Sequence, residues 1–118
     1  MRRVVVTGMG GVSALGSEWA TVEAGLRAQR NCVRYMPEWE QYRDLNARIG
    51  APVDEFAAPD RWSRKQLRSM GRVSQLAVRA AEIALEHAGV LNEPEIRSGA
   101  MGVACGSSTG STSDVKDF

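Results

Sequence analysis

Residues 4–11 read Val4-Val5-Val6-Thr7-Gly8-Met9-Gly10-Gly11, a run of β-branched residues that opens directly into a glycine-rich turn. Because the three valines are apolar without alternation, they predict a strand covered on both faces, as in the middle of a parallel sheet. Such a strand is stable only inside a larger structure, so the remaining segments are interpreted first as its cover. The glycines leave two interpretations open: a cradle for a phosphate, or a place where the backbone leaves the strand through positive φ and packs closely.

The composition is that of an ordinary globular domain, with 43% hydrophobic and 25% charged residues in a chain of 118. A net charge of +1 gives no general electrostatic reason to expect nucleic acid or a membrane surface as partner. Cys32 and Cys105 have neither the spacing of a disulfide framework nor that of metal ligands, which favours a reducing compartment. No segment resembles a signal peptide or a membrane span. We therefore expect a cytoplasmic protein, and the cysteines give no indication of a metal site.

Two stretches have the pattern of helices. Ser17 as N-cap and apolar residues at helical spacing predict a first helix over residues 18–28. Residues 62–89 predict a long second helix, with a capping box formed by Ser63 and Gln66 and with Gly89 as its C-terminal stop. Small residues line this helix, so another segment can approach its backbone closely, and we expect burial over much of its circumference. These small residues are Ala77, Ala80, Ala81, Ala84 and Ala88.

The remaining segments complete an alternating order of elements. Residues 31–60 are irregular, with a weak edge strand expected within residues 47–53, where Pro52 is tolerated. Residues 100–106 predict a second buried strand, which opens into a small polar loop over residues 107–113. The order strand, helix, weak strand, long helix, strand predicts an α/β fold with parallel strands and right-handed crossovers. A domain seldom stops just after such a loop, so we expect the chain to be a fragment of something longer.

The first turns of the long predicted helix carry a cluster of cations. Its members are Arg61, Arg64, Lys65, Arg68 and Arg72. Positive charge at the start of a helix opposes the helix dipole, at a cost of a few tenths of a kcal/mol for each residue. A solvated basic face and a docking site for an anionic partner both account for the cluster, and the residues alone leave both open.

No complete catalytic constellation is present in the sequence. Gly8-Met9-Gly10 begins a dinucleotide fingerprint, but Ser13 occupies the third glycine position and no acidic residue follows where a ribose would need it. Cys105 could be a nucleophile only with a histidine nearby, and the single histidine is His87, on the polar edge of the long helix. We expect Cys105 to be a small buried hydrophobe and His87 to be a surface residue.

Taken together and in order, these motifs resemble the N-terminus of the β-ketoacyl acyl-carrier-protein synthases, the condensing enzymes of fatty-acid and polyketide synthesis. The resemblance rests on residues 3–16, on residues 63–70 with the alanine-rich helix up to Gly89, and on residues 102–110. Each motif alone is weak, but the ordered set is specific and covers essentially the whole chain.

The resemblance implies an α/β architecture, the N-terminal part of a thiolase-like fold with five αβαβα layers. The implied reaction is decarboxylative Claisen condensation of an acyl group with malonyl-carrier protein, which needs no metal or redox cofactor. The catalytic cysteine, histidines and lysine of the family match no residue here, Cys105 and His87 included. We therefore expect residues 1–118 to be an incomplete synthase N-terminal domain, inactive alone and poorly soluble. A catalytically silent subunit, similar to a chain-length factor, is the alternative, and the residue at the nucleophile position would distinguish the two.

The resemblance also implies two sets of site residues. In related enzymes the basic residues at the start of the long helix meet the acidic acyl carrier protein, which corresponds here to Arg64, Lys65 and Arg68, with Arg72 nearby. Ser69 stands where relatives often have another basic residue, which weakens or shifts the expected patch. Thr109 corresponds to an acyl-pocket position near the dimer interface that is often bulky and aliphatic. A small polar residue there points to an altered substrate, such as a polyketide- or polyene-type acyl chain. The implied partners are acyl carrier protein, an acyl thioester, and an identical or related subunit in a dimer.

Overall fold

The computed structural model describes residues 3–111, which fall into two units. One unit is Val12–Phe56, and the other contains residues 3–11 and 57–111 of the described chain. The first unit contains helix α1 (Trp19–Arg27), strand β1 (Arg34–Tyr35), a 3₁₀ helix (Pro37–Gln41) and strand β2 (Ile49–Gly50). The second contains helix α2 (Arg64–Arg68), helix α3 (Arg72–His87) and a 3₁₀ helix (Pro94–Arg97). Among the described helices, none has the length and apolar character needed to cross a membrane.

Helix α1 forms where its pattern predicts it, within one residue at each end. Its N-cap is Glu18, not the predicted Ser17, because Glu18 still has extended backbone angles (φ −85°, ψ 127°). Within the helix, Arg27 and Glu23 form an ion pair of 2.7 Å across one turn. After the helix, Arg30 turns back and donates to the carbonyl oxygen of Leu15 at 2.8 Å, which ties the end of α1 to the turn before it.

The weak strand predicted within residues 47–53 is confirmed as β2, and it pairs with β1. The pair is antiparallel, with Arg34 opposite Gly50 and Tyr35 opposite Ile49. Met36, which follows β1, is 7% exposed and packs against Gly50 together with the indole of Trp39. A small apolar centre therefore holds this unit, and the two short strands lie at its edge.

The single long helix predicted over residues 62–89 is wrong, because the chain breaks it into α2 and α3. The capping box of Ser63 and Gln66 is confirmed at the start of α2. The hydroxyl of Ser69 donates to the carbonyl oxygen of Gln66 at 2.8 Å, and Gly71 then takes extended angles as the N-cap of α3. At the other end Gly89 has a φ of +72°, so the predicted stop is confirmed. No residue of α3 is buried, contrary to the burial expected for this helix.

The glycines at the start of the chain pack against the small residues of α3. A methyl group on Gly10 would overlap the carbonyl oxygen of Ala80 and lie 2.5 Å from the amide nitrogen of Ala84. A methyl group on Gly8 would lie 2.8 Å from the Cβ of Ala88. Close packing is therefore the role of these two glycines, and α3 fills the space that a phosphate cradle would need. The expected positive φ is wrong for Gly8 and Gly10.

The two buried parallel strands predicted at residues 4–6 and 100–106 do not form among the described residues. Val4, Val5 and Val6 are 93%, 75% and 80% exposed, and Val103 is 93% exposed. Cys105, which we expected to be buried, is exposed as well. A central strand needs a hydrogen-bonded neighbour at each edge and a layer on each face, and residues 3–111 supply neither to these segments.

Candidate functional site

Helix α2 is stabilised mainly by the capping box at its N-terminus, because it is too short to be stable by itself. The Ser63 hydroxyl accepts a hydrogen bond from the Gln66 amide at 3.2 Å, and the Gln66 side chain accepts one from the Ser63 amide at 2.8 Å. Because α2 has only five residues, helix propagation in water cannot stabilise it by itself. The capping box and the contacts at the two ends of α2 therefore decide where its side chains point.

Three cations of α2 lie free at the surface. Arg64, Lys65 and Arg68 are exposed, and no ion pair or hydrogen bond engages their side chains within residues 3–111. Arg72, the first residue of α3, is exposed beside them in sequence. We refer to Arg64, Lys65, Arg68 and Arg72 as the basic surface.

Two neighbouring arginines of the same unit behave differently, because carboxylates of α3 neutralise them. Arg61 pairs with Glu82 at 2.6 Å and with Glu86 at 3.3 Å. Arg79 pairs with the same two residues at 3.4 Å and 3.7 Å. Within the described residues, acidic partners are thus present for Arg61 before α2 and for Arg79 in α3, but not for the three cations of α2.

The break between α2 and α3 changes the dipole argument for the cluster. Lys65 and Arg68 lie in the last turn of α2, where positive charge is favourable. The prediction that they oppose a helix dipole is therefore wrong. Only Arg72 stands in the first turn of a long helix. Mutual repulsion remains, since Arg64 and Arg68 are four residues apart on one short helix, at a cost of a few tenths of a kcal/mol. An anionic partner would relieve it.

The side chain of Glu82 joins the segment before α2 to helix α3. Its Oε1 accepts a hydrogen bond from the indole Nε1 of Trp62 at 2.8 Å, and its Oε2 pairs with Arg61 and Arg79. Trp62 is 8% exposed, and it and Met36 are the buried hydrophobic side chains of the described chain. We call Glu82 with Trp62, Arg61 and Arg79 the Glu82 cluster.

The loop that contains Thr109 is fastened to the start of α3. Gly110 has a φ of +61°, and its amide donates to the Ser107 hydroxyl at 3.1 Å. The Ser111 hydroxyl accepts a hydrogen bond from the Val73 amide at 3.0 Å, which supplies the side-chain cap that Gly71 cannot give to α3. Thr109 itself is exposed in this loop. Thr109 therefore lies in a loop that contacts the first turn of α3, the turn in which Arg72 of the basic surface stands.

The structure does not bring Cys105 and His87 together as a catalytic pair. His87 is exposed, as predicted, and its Nδ1 accepts a hydrogen bond from the Met9 amide at 3.1 Å. Cys105 is exposed in a segment without regular structure, and within residues 3–111 no hydrogen bond joins its thiol to the imidazole. His87 thus fixes the glycine segment to the end of α3.

Sequence reasoning missed the Glu82 cluster and the role of Ser111. The spacing of Arg79 and Glu82 is that of an ion pair along a helix, and this signal was available in the sequence. The contact between Trp62 and Glu82 spans 20 residues, and that between Val73 and Ser111 spans 38. No local pattern encodes either contact.

Comparison with protein families identifies the class of protein. Residues 1–117 match the family model described as the beta-ketoacyl synthase N-terminal domain. The chain belongs to the beta-ketoacyl synthase family.

Individual relatives agree with this assignment. The chain is 41% identical over 90 residues to nodulation protein E of Rhizobium meliloti, an alignment that covers 75% of this chain and 22% of that protein. It is 30% identical over 117 residues to a Synechocystis 3-oxoacyl-acyl-carrier-protein synthase 2, covering 98% of this chain and 27% of that protein. The chain therefore spans about a quarter of the length of these relatives.

A solved structure supports the fold class as well. The crystal structure of a beta-ketoacyl synthase from Burkholderia phymatum matches with a TM-score of 0.86 and 56% sequence identity, over 92% of this chain and 26% of that one. The resemblance stated from the motifs is thus confirmed, and so is the thiolase-like fold class. The individual strands of that class are not paired among the described residues of this chain.

Proposed function

We propose that this chain is the N-terminal part of a 3-oxoacyl-acyl-carrier-protein synthase, which condenses acyl and malonyl groups with loss of carbon dioxide. In this proposal the protein works as a cytoplasmic dimer, with an identical or a related subunit. The role of residues 3–111 is then to bind the partner that delivers the substrate, since no catalytic pair is formed among them. The basic surface is the binding site, and its partner is the acidic acyl carrier protein.

One observation carries the docking proposal: among residues 3–111, carboxylates neutralise Arg61 and Arg79, whereas the side chains of Arg64, Lys65 and Arg68 have no partner. An ordinary solvated face gives no reason for this difference between adjacent cations. Exposed cations on one short helix match the requirement of a transient complex with an acidic protein, in which charge mainly raises the association rate. The family relationship supports the kind of partner.

Charge reversal tests the docking site. In the complete synthase, Lys65→Glu combined with Arg68→Glu should weaken binding of acyl carrier protein by about tenfold or more at low salt, because two cations that attract the acidic protein become anions that repel it. The difference from wild type should shrink as ionic strength rises, since salt screens exposed charges beyond about 10 Å at 0.1 M. Binding is measured by isothermal titration calorimetry at several salt concentrations.

A matched control separates the site from the total charge. Arg43→Glu combined with Arg97→Glu changes the net charge by the same amount at exposed cations that also have no ion partner within the described residues. This variant should keep an affinity within about twofold of wild type. If both double variants lose affinity equally, only net charge matters and the docking assignment to α2 is wrong.

For Thr109 we propose a position in the acyl pocket. Its exposure in a loop held by Ser111 and Ser107 supports this role, because the loop geometry is fixed while the side chain is free for contact. In the catalytically complete synthase, Thr109→Phe should shorten the longest acyl chain accepted, whereas the nearly isosteric Thr109→Val should not. Product analysis by mass spectrometry measures this, and an unchanged product length in Thr109→Phe would remove Thr109 from the pocket.

A further inference from the structure

Trp62 immediately precedes the residue that starts α2. Its indole is buried and hydrogen-bonded to Glu82, while the neighbouring Ser63 caps the helix with its hydroxyl. Glu82 lies in the second half of α3 and its side chain is only 17% exposed. The start of α2 is thereby joined to a long helix through one carboxylate.

The other end of α2 is held to α3 as well. The side-chain amide of Gln75 donates to the carbonyl oxygen of Met70 at 2.9 Å, just after the end of α2. With Glu82 at one end and Gln75 at the other, a five-residue helix is fixed against a sixteen-residue one. The direction in which Arg64, Lys65 and Arg68 project is then set by these two attachments.

We infer that Glu82 is a positioning residue for the basic surface: through Trp62 and Arg61 it orients α2 for the acidic partner without touching that partner itself. This inference rests on the proposed function. A part-buried hydrogen bond between an indole and a carboxylate, with arginines covering the second oxygen, is a well-satisfied arrangement that fixes one geometry. Pre-orienting exposed cations lowers the entropy cost of binding.

The charge of Glu82 allows a test, because electrostatics alone and the positioning role predict opposite changes in the affinity for acyl carrier protein. Removing a carboxylate near a basic surface makes that surface more positive, so electrostatics alone predicts unchanged or tighter binding of an acidic protein. If Glu82 positions α2, Glu82→Ala should instead weaken binding of acyl carrier protein by about fivefold or more in the full chain. Glu86→Ala is the matched control, because Glu86 pairs with the same two arginines while the indole N–H of Trp62 donates to Glu82, and this variant should bind as wild type or slightly more tightly.

A second measurement excludes a merely structural effect. In a background with Arg64→Ala, Lys65→Ala and Arg68→Ala, a positioning residue has nothing left to orient, so Glu82→Ala should cause no further loss of affinity. An equal loss with and without the three cations would overturn the inference, as would equal affinities of Glu82→Ala and Glu86→Ala. If the triple alanine variant itself binds as wild type, the docking proposal fails first, and the inference fails with it.

A conservative variant covers the case in which Glu82→Ala does not fold. Trp62→Phe keeps the aromatic ring and every charge but removes the N–H that Glu82 accepts. This variant should lose affinity for acyl carrier protein to a similar extent, while the helical circular dichroism signal of the protein is retained. Wild-type affinity in Trp62→Phe would overturn the inference.

Discussion

Tyr35 donates its phenolic hydroxyl to Oε1 of Glu40 at 2.8 Å, although both side chains lie at the surface. The hydrogen bond to this carboxylate, and its negative charge, hold the pKa of Tyr35 above the ordinary value of about 10. Arg48 acts weakly in the opposite direction. Because the folded chain binds this proton more tightly than the unfolded chain, the resulting stabilisation is present below pH 10 and is lost as the pH rises through the raised pKa.

Removing the carboxylate of Glu40 should abolish the rise in the pKa of Tyr35. In Glu40→Ala the pKa of Tyr35 should fall towards its ordinary value, as measured by the pH dependence of the tyrosine ring-carbon signal in NMR. Glu38→Ala is the control, since Glu38 lies in the same 3₁₀ helix and does not hydrogen-bond to Tyr35. An identical Tyr35 titration in wild type and Glu40→Ala would show that the hydrogen bond does not persist in solution.

At this scale, local contacts could be predicted from the sequence and distant ones could not. The capping box of Ser63 and Gln66 lies within one turn, so the residue types alone identify it. The hydrogen bond between Trp62 and Glu82 could not be predicted, because the two residues are 20 positions apart and no local pattern links them. The clustering of the cations is evident in the sequence, whereas the roles of the basic surface and of Thr109 come from the family resemblance and remain predictions.

At the scale of elements, the contact between the glycine segment and α3 depends on the absence of side chains. Gly10→Ala should destabilise the chain by about 1–3 kcal/mol, because the added methyl group would overlap the backbone of α3 at Ala80. Gly11→Ala is a control one residue away, where an added Cβ meets no atom within 4 Å, and its effect should stay within about 0.5 kcal/mol. Urea denaturation followed by circular dichroism measures both, and equal midpoints would contradict the contact.

The break between α2 and α3 shows what helical periodicity does not encode. Apolar and small residues continue at helical spacing through residues 67–77, so the pattern predicts one helix. Ser69 and Gly71 have low helix propensity, but their cost is small beside the periodic signal. The break is decided by side-chain bonds, from Ser69 to Gln66 and from Gln75 to Met70, that compete with the helix backbone.

At the scale of the whole molecule, the exposed apolar segments determine how the chain behaves alone. Val4–Val6 are β-branched and exposed, without a ladder partner among the described residues, which is the pattern of an aggregation-prone edge. The chain expressed by itself should therefore self-associate in the micromolar range and bind a hydrophobic dye. Val4→Lys combined with Val6→Lys should reduce this, as measured by analytical ultracentrifugation.

A control with the same added charge tests whether the contiguous run is responsible. Leu26 and Val33 are 57% and 48% exposed but separate in sequence. Leu26→Lys combined with Val33→Lys should leave most of the self-association in place. If the unsubstituted chain stays monomeric, residues 4–6 do not drive self-association in solution.

The fold class could be predicted because it depends on the order of motifs, whereas the strands could not. Three motifs in sequence, at residues 3–16, 63–89 and 102–110, pointed to the family that the comparisons confirm. Strand formation is not a property of a segment alone, since each backbone group in a sheet needs a partner from another strand. The valines at residues 4–6 have the composition of a central strand. Within residues 3–111, however, no other strand pairs with them.

The attachment of the glycine segment to α3 also sets an order of events during synthesis. Met9 and His87 are 78 positions apart, so residues 3–11 are synthesised well before the helix against which they pack. At translation rates of about 5–20 residues per second, residues 3–11 wait for several seconds until α3 exists. Residues 12–56 can gather around Met36 during that time, because their contacts are local. During this interval Gly8 and Gly10 have no helix to pack against, so the nascent chain presents residues 3–11 without the contacts that α3 later provides.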